Sequence, residues 1–230
     1  MDKTRPIIIS LGGSLVVPNG GVDRKFLLEF NAFIRDKIAN EWRFFIVVGG
    51  GAIARHYRDS AREVIGSISN WDLDYIGIHT TRLNAHLIRT IFQDIAHPRI
   101  IQNYEKKIIN LTQPLVVAAG WKPGRSTDYD AVLLARDYGG EVIINMSNIP
   151  KVYTKDPKKF EDAKPIDKVS WDEFEKIVGK TWSPGGNHPF DPIATKCAKK
   201  LGIKVYVIGK DLDNFNRILN GQKFTGTLIS

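Results

Sequence analysis

Residues 44–58 read Phe-Phe-Ile-Val-Val-Gly-Gly-Gly-Ala-Ile-Ala-Arg-His-Tyr-Arg. An apolar, β-branched run that stops at Gly49, Gly50 and Gly51 and restarts with helix formers predicts a strand, a tight loop and a helix. Glycines without Cβ atoms let backbone N–H groups approach a phosphate, and the helix N-terminus behind them carries partial positive charge. Arg55, about one turn into that helix, has the forked donors that an oxyanion takes. A plain strand-to-helix turn with a solvated arginine would read the same way.

The pattern recurs elsewhere in the chain. The apolar run 6–11 ends in Gly12-Gly13-Ser14, after which Asp23 caps a segment with Phe26, Leu27, Phe30, Phe33, Ile34 and Ile38 at helical spacing. Strand, glycine loop and helix, twice over, predict an α/β fold with a parallel sheet and helices on its faces. Both loops then fall at the carboxyl edge of the sheet, where open sheets bind ligands. A third loop, 120–128, follows the apolar run 115–119 and leads into a helix from Thr127 to about Tyr138. Three such loops argue for a polyphosphate site more strongly than any one of them.

Further helices are expected over 52–63, 171–178, 191–201 and 215–219. A long one starts at Asp72, buries Ile76, Leu83, Leu87, Ile91 and Ile95, and is ended by Pro98. Strands are expected at 100–102, 108–110, 141–145, 204–209 and 227–229. Residues 149–165 read as a polar, Pro-broken hairpin or loop, and 181–188 as a flexible lid. A single domain over 1–230 is expected, and any division into lobes, 1–120 and 121–230, falls near the third glycine loop.

Composition narrows the function. The chain has 230 residues, 43% apolar and 25% charged, the balance of an ordinary soluble protein. Cys197 is the sole cysteine, which excludes an internal disulfide or a Cys-rich zinc site and suits a reducing cytosol. No apolar run approaches the ~20 residues of a membrane span, and the polar N-terminus is not a signal peptide. The net charge of +8 favours anionic partners, but its cations are scattered among acids, so a nucleic-acid face is not expected. His56, His79, His86, His97 and His188 show no metal-ligand spacing. The string Gly49-x-Gly51-x-x-Ala54 matches a dinucleotide fingerprint, yet it ends the second strand, and the acids that follow, Asp72 and Asp74, open a helix. No GxxxxGK[ST] loop is present. Asp128 would sit at a helix start, where an acid offsets the dipole by ~0.3–1 kcal/mol. That does not explain its place beside Ser126 and Thr127, whose hydroxyls suit phosphate, with Asp128 orienting a cation or a metal-bound water.

These residues resemble the amino acid kinase superfamily, and within it the uridylate (UMP) kinases of archaeal type. The matching blocks are Leu11-Gly-Gly-Ser14, Val48-Gly-Gly-Gly51 with Ala54-Arg55-x-Tyr57, Asp74-Tyr-Ile-Gly-Ile78 with Thr81-Arg-Leu-Asn84, Pro123-Gly-x-Ser-Thr-Asp128, Val152-Tyr-Thr-Lys-Asp-Pro157, Asp191-Pro-x-Ala194 and Gly226-Thr227. They run in order over about residues 7–229.

The resemblance implies a three-layer αβα sandwich with a mainly parallel sheet, transferring the phosphoryl group of ATP-Mg²⁺ to UMP in the cytoplasm. It also implies a homo-oligomer, often a hexamer. By the family pattern Gly12, Gly13, Ser14, Gly51 and Arg55 meet ATP phosphates, and Ser147, Asn148, Tyr153 and Asp156 meet its nucleoside. UMP would be held by Gly50, Asp74 and the loop Gly120, Trp121, Lys122, Pro123, Gly124, Arg125, Ser126 and Thr127. Asp128, Arg55 and position 10 would carry the chemistry. Many members have lysine where this chain has Ser10, so Lys122, Arg125 or another cation would substitute for it. Pro150 and Lys151 replace an acid and a glycine, Trp121 replaces a glycine, and Tyr129 and Asp130 replace small residues. These departures keep open another small phosphate or carboxylate acceptor, or a catalytically impaired nucleotide-binding regulator.

Overall fold

The structure is a computed structural model that describes residues 1–19, 21–179, 181, 186 and 188–230. Most of the expected lid, 181–188, lies outside the described residues. In chain order the elements are β1 (Ile7–Leu11), α1 (Gly13–Val16), α2 (Arg24–Ala39), β2 (Phe44–Val48), α3 (Gly51–Ile65), α4 (Asn70–Ile91), β3 (Leu115–Ala118), α5 (Thr127–Tyr138) and β4 (Val142–Met146). They continue with β5 (Val152–Tyr153), β6 (Pro165–Ile166), β7 (Lys168–Val169), α6 (Trp171–Val178), α7 (Pro192–Leu201), β8 (Lys204–Ile208), α8 (Leu212–Leu219) and β9 (Thr227–Ile229).

Seven strands form one sheet in the order β3-β2-β1-β4-β8-β9-β7, and β5 and β6 pair as an antiparallel hairpin. Only the β8–β9 pairing in the large sheet is antiparallel. Central strands covered on both faces alternate their side chains between two cores. Ile7, Ile9, Leu11, Phe44, Ile46 and Val48 pack with Phe30 of α2, Ile88 of α4 and Phe215 of α8. Ile8, Phe45, Val47, Ile143 and Val205 pack on the other face with Val132 of α5, Phe174 of α6 and Ala198 of α7. The expected three-layer αβα sandwich is therefore present, and each large buried side chain contributes about 1.5–3 kcal/mol by leaving water.

Three expectations need correction. Helix α4 ends at Ile91, well before Pro98, and it buries Leu73, Asp74, Gly77, Ile78, Thr80, Thr81, Asn84, Ala85 and Ile88. Of the expected stripe, Leu87, Ile91 and Ile95 pack against the core, but Leu83 is 60% exposed, because the helix directs Asp74, Thr81 and Asn84 to the ligand edge of the sheet. Residues 100–102 contribute only an isolated bridge between Ile101 and Ala118. Residues 108–110 form no strand; the Ile108 N–H donates instead to the Tyr138 hydroxyl at 3.0 Å, and Asn110 has φ of 60°. Strand β7 and the single-turn α1 were too short to show a period in the sequence.

Candidate active site

Strand β1 lies between β2 and β4, so the chain leaves it toward opposite sides of the sheet and opens a crevice at its carboxyl end. The first two glycine loops meet there. The Gly49 N–H donates to the Leu11 carbonyl at 2.9 Å, the Gly12 N–H to Met146 at 2.8 Å, and the Ala52 N–H to Val17 at 3.0 Å. A Cβ on Gly13 would overlap the Gly51 nitrogen and the Gly49 carbonyl, and one on Gly49 would stand 2.6 Å from the Gly13 nitrogen. Gly51 itself has φ of +67°, a backbone shape that favours glycine. Asn84 of α4 secures the second loop by donating to the Gly49 and Gly50 carbonyls at 2.8 and 3.2 Å.

A cavity of about 550 Å³ opens over these loops, lined among others by Ser14, Gly50, Gly51, Arg55, Asp74, Asn148 and Asp128. That volume is ordinary for a small-molecule site. Asp128, in the first turn of α5, accepts the Ser10 hydroxyl on Oδ1 at 2.8 Å and the Asp191 N–H on Oδ2 at 3.1 Å. Burial pushes its carboxyl up to about 7; the Ser10 hydrogen bond pulls against that and the charge of Asp191 adds to it. Asp191 caps α7 by accepting the Ala194 N–H at 2.7 Å, and burial raises its pKa too.

The third glycine loop forms the opposite wall. The Gly120 N–H donates to Thr81 Oγ1 at 2.8 Å, and Asp74 Oδ2 accepts the Gly124 N–H at 2.7 Å, so α4 holds the loop at two points. Ser126 caps α5 by accepting the Tyr129 N–H at 3.1 Å, and its hydroxyl bonds toward Asp191, acting against the burial that raises that carboxyl. Trp121 turns its ring out of the cavity onto Tyr104, with 5.7 Å between centroids, while its N–H donates to the buried Asp130 at 3.2 Å. Burial drives the Asp130 carboxyl well above the usual range.

Of the expected residues, Ser14, Gly50, Gly51, Arg55, Asp74, Gly120, Arg125, Ser126, Thr127, Asp128 and Asn148 line this cavity together. Tyr153 and Asp156 line a smaller adjoining cavity of about 180 Å³ with Lys151, and His188 borders both. Ser147 donates its hydroxyl to the Ile149 carbonyl and shapes the turn between the cavities. Ser10, Gly12 and Gly13 are not among the cavity's lining residues. Lys122 lies 3.9 Å from the Trp121 ring and 3.6 Å from Glu105, away from the lining residues. Arg58, Lys158 and His188 were missed among the lining residues. Arg58 had a legible signal, three residues after Arg55 on the same helix face; Lys158 and His188 arrive from segments distant in sequence.

Interlocked glycine loops at the switch point of a parallel sheet, with a buried acid at a facing helix start, define an α/β phosphoryl-transfer fold. The sequence profile of the Amino acid kinase family matches residues 5–209. This chain belongs to the amino acid kinase family. Its similarity is to uridylate kinases in particular: that of Thermococcus kodakarensis is 33% identical over 227 residues, 97% of this chain and 98% of the relative. The uridylate kinase of Pyrococcus abyssi is 34% identical over 207 residues, 89% and 90% of the two chains. Among solved structures, the uridylate kinase from Archaeoglobus fulgidus superposes with a TM-score of 0.81 at 34% identity, covering 98% of this chain and 100% of that one.

Proposed function

We propose that the protein transfers the γ-phosphoryl group of ATP to UMP, giving UDP and ADP. The observation that carries this reading is the pair of interlocked glycine loops standing between Asp74 on one side and Asp128 on the other. Such a wall serves two phosphates at once. Gly50 faces the acceptor phosphate while Ser14 and Gly51 face those of ATP, with Gly12 and Gly13 shaping the loop that brings Ser14 there. Arg55 stands where the transferring group passes. Asp74 takes the acceptor ribose hydroxyls, the loop from Gly120 to Thr127 encloses the base, and Ser147, Asn148, Tyr153 and Asp156 border the ATP nucleoside.

The acceptor needs no general base, because a nucleotide phosphate with a second pKa near 6 is mostly dianionic at neutral pH. Catalysis is then positioning plus stabilisation of charge. Ser10 keeps Asp128 oriented toward the cationic groups, and Arg125 and Lys158, both in the lining, are the cations left to take over from the family lysine. Among the described residues no cluster of three His, Cys, Asp or Glu side chains could cage a metal. Asp128 and Asp191 are hard oxygen donors at the phosphate end, which fits a Mg²⁺ held mainly by nucleotide oxygens and water, with Asp128 orienting that water. Bound there, Mg²⁺ would offset the charge on the β- and γ-phosphates.

The chain reads as one domain, working in the cytoplasm as a homo-oligomer, hexameric by the family pattern. Exposed Tyr57, Trp71, Tyr75 and Leu83 on α3 and α4 support an oligomer; no helix among the described residues is long and apolar enough to cross a membrane. The test is turnover of purified protein with ATP, Mg²⁺ and each of UMP, CMP, AMP, acetate and carbamate. UDP and ADP in equal amounts are expected. Preferred turnover of another acceptor would reassign the substrate, and ATP binding without turnover of any would make the protein a regulator.

A further inference from the structure

Arg58 lines the main cavity, and the roles above leave it without a task. It lies on α3 one turn beyond Arg55, but the two arginines are held differently. Arg55 is exposed, whereas Arg58 is half-buried and its Nε donates to the Leu73 carbonyl of α4 at 2.9 Å. Its guanidinium occupies the space where a Cβ on Gly77 would otherwise stand, so a glycine at that position opens a slot for it across α4. The nearby acid of its own helix, Asp59, pairs with Arg62 instead, at 2.9 Å. Among the described residues Arg58 uses one of its five N–H donors. Burial lowers its pKa, and Asp74 is the acid that acts most strongly against that.

A guanidinium fixed in a slot, partly stripped of water and with most of its donors unused is stabilised by an anion arriving from the cavity. The slot also adjoins the phosphate loop, since a Cβ on Gly50 would lie 3.6 Å from the Gly77 carbonyl oxygen. Arg58 therefore lies beside the part of α4 that meets the Gly50 loop, close enough to Asp74 for that charge to act on it. A carboxylate in that position repels an incoming dianion, and a cation beside it offsets the repulsion.

We propose that Arg58 binds the phosphate of the acceptor nucleotide together with Arg55, its Nη donors taking the oxygens on the side facing Asp74. This rests on the UMP reading above. The experiment compares Arg58→Met, which keeps an apolar stem over Gly77, with Arg58→Lys, with the parent, and with Arg62→Ala as a control on the same helix. KM for UMP is expected to rise about 10- to 100-fold in Arg58→Met, with KM for ATP and the melting temperature near those of the parent. Arg58→Lys is expected to fall between, and Arg62→Ala to match the parent. An unchanged KM for UMP in folded Arg58→Met overturns the inference. So does an equal rise in KM for ATP, the mark of a lost tie between α3 and α4. Failure of the parent itself to turn over UMP would strike the functional reading instead, so the two failures are separable.

Discussion

The hydroxyl of Ser10, the fourth residue of β1, donates to Asp128 at the start of α5 over 2.8 Å. This bond ties the central strand to the helix above it at the edge where phosphates would gather. It also joins two residues that sequence alone placed in one site on the strength of family pattern.

Replacing Asp128 by Asn tests both catalysis and stability. Its folded-state pKa of about 7 lies above the ordinary 3.8, so between those values the folded protein holds a proton that the unfolded chain has lost. Stability contributed by this group is thus present below pH 4 and is lost as pH rises through 7. At pH 8 Asp128→Asn is expected to melt higher than the ligand-free parent by the equivalent of ~1–3 kcal/mol, with the gap closing near pH 4. Its kcat should fall ~100-fold or more. Thermal scans at both pH values and steady-state rates decide this.

Gly13→Ala should behave unlike Gly21→Ala. The first places a methyl group into the Gly49–Gly51 backbone, and the second has nothing within 4 Å. Denaturant titration is expected to show a loss of ~3 kcal/mol or more for the former and under ~1 kcal/mol for the latter.

The Asp74–Gly124 bond predicts a divergence between two substitutions. Asp74→Ala leaves the Gly124 N–H without its acceptor, so limited proteolysis within 121–126 should quicken, and KM for UMP should rise ~10-fold or more. Asp74→Asn can still accept from Gly124, so its loop should stay protected while KM rises. Equal protease sensitivity in both variants would count against the tie.

Trp121→Gly removes the indole from the third glycine loop. The loss of packing against Tyr104 and of the Lys122 contact should destabilise the protein by ~2–4 kcal/mol. KM for UMP should change by less than about threefold, because the ring faces away from the cavity. A large rise in KM would place the indole against the base.

Sedimentation of the purified protein tests assembly through α3 and α4. The parent should sediment as an oligomer, and Leu83→Glu, on an exposed site of that face, should shift it toward smaller species because it puts a charge into an apolar contact.

The three glycine loops were legible because each ends an apolar run, and no other residue type allows backbones to approach as closely as Gly13 and Gly51 do. Helix α4 was misread because apolar spacing locates a buried face only when the interior is apolar. Here Asp74, Thr81 and Asn84 point inward alongside Leu73, Ile78 and Ile88, paired with backbone groups of the two loops, while Leu83 faces out. The 108–110 run has strand-like composition, but its N–H goes to a tyrosine from a distant helix, which no local pattern carries. Lys158 and His188 enter the site through tertiary folding of segments with no period at all.

The Gly124 amide on Asp74 has a further consequence for how tightly an acceptor holds. The carboxylate keeps acceptor sites beyond the one that Gly124 fills, so a hydroxyl arriving from the cavity adds a bond to one already made. The same side chain then closes the loop and holds the ligand, so order in 121–126 and occupancy of the cavity rise and fall together.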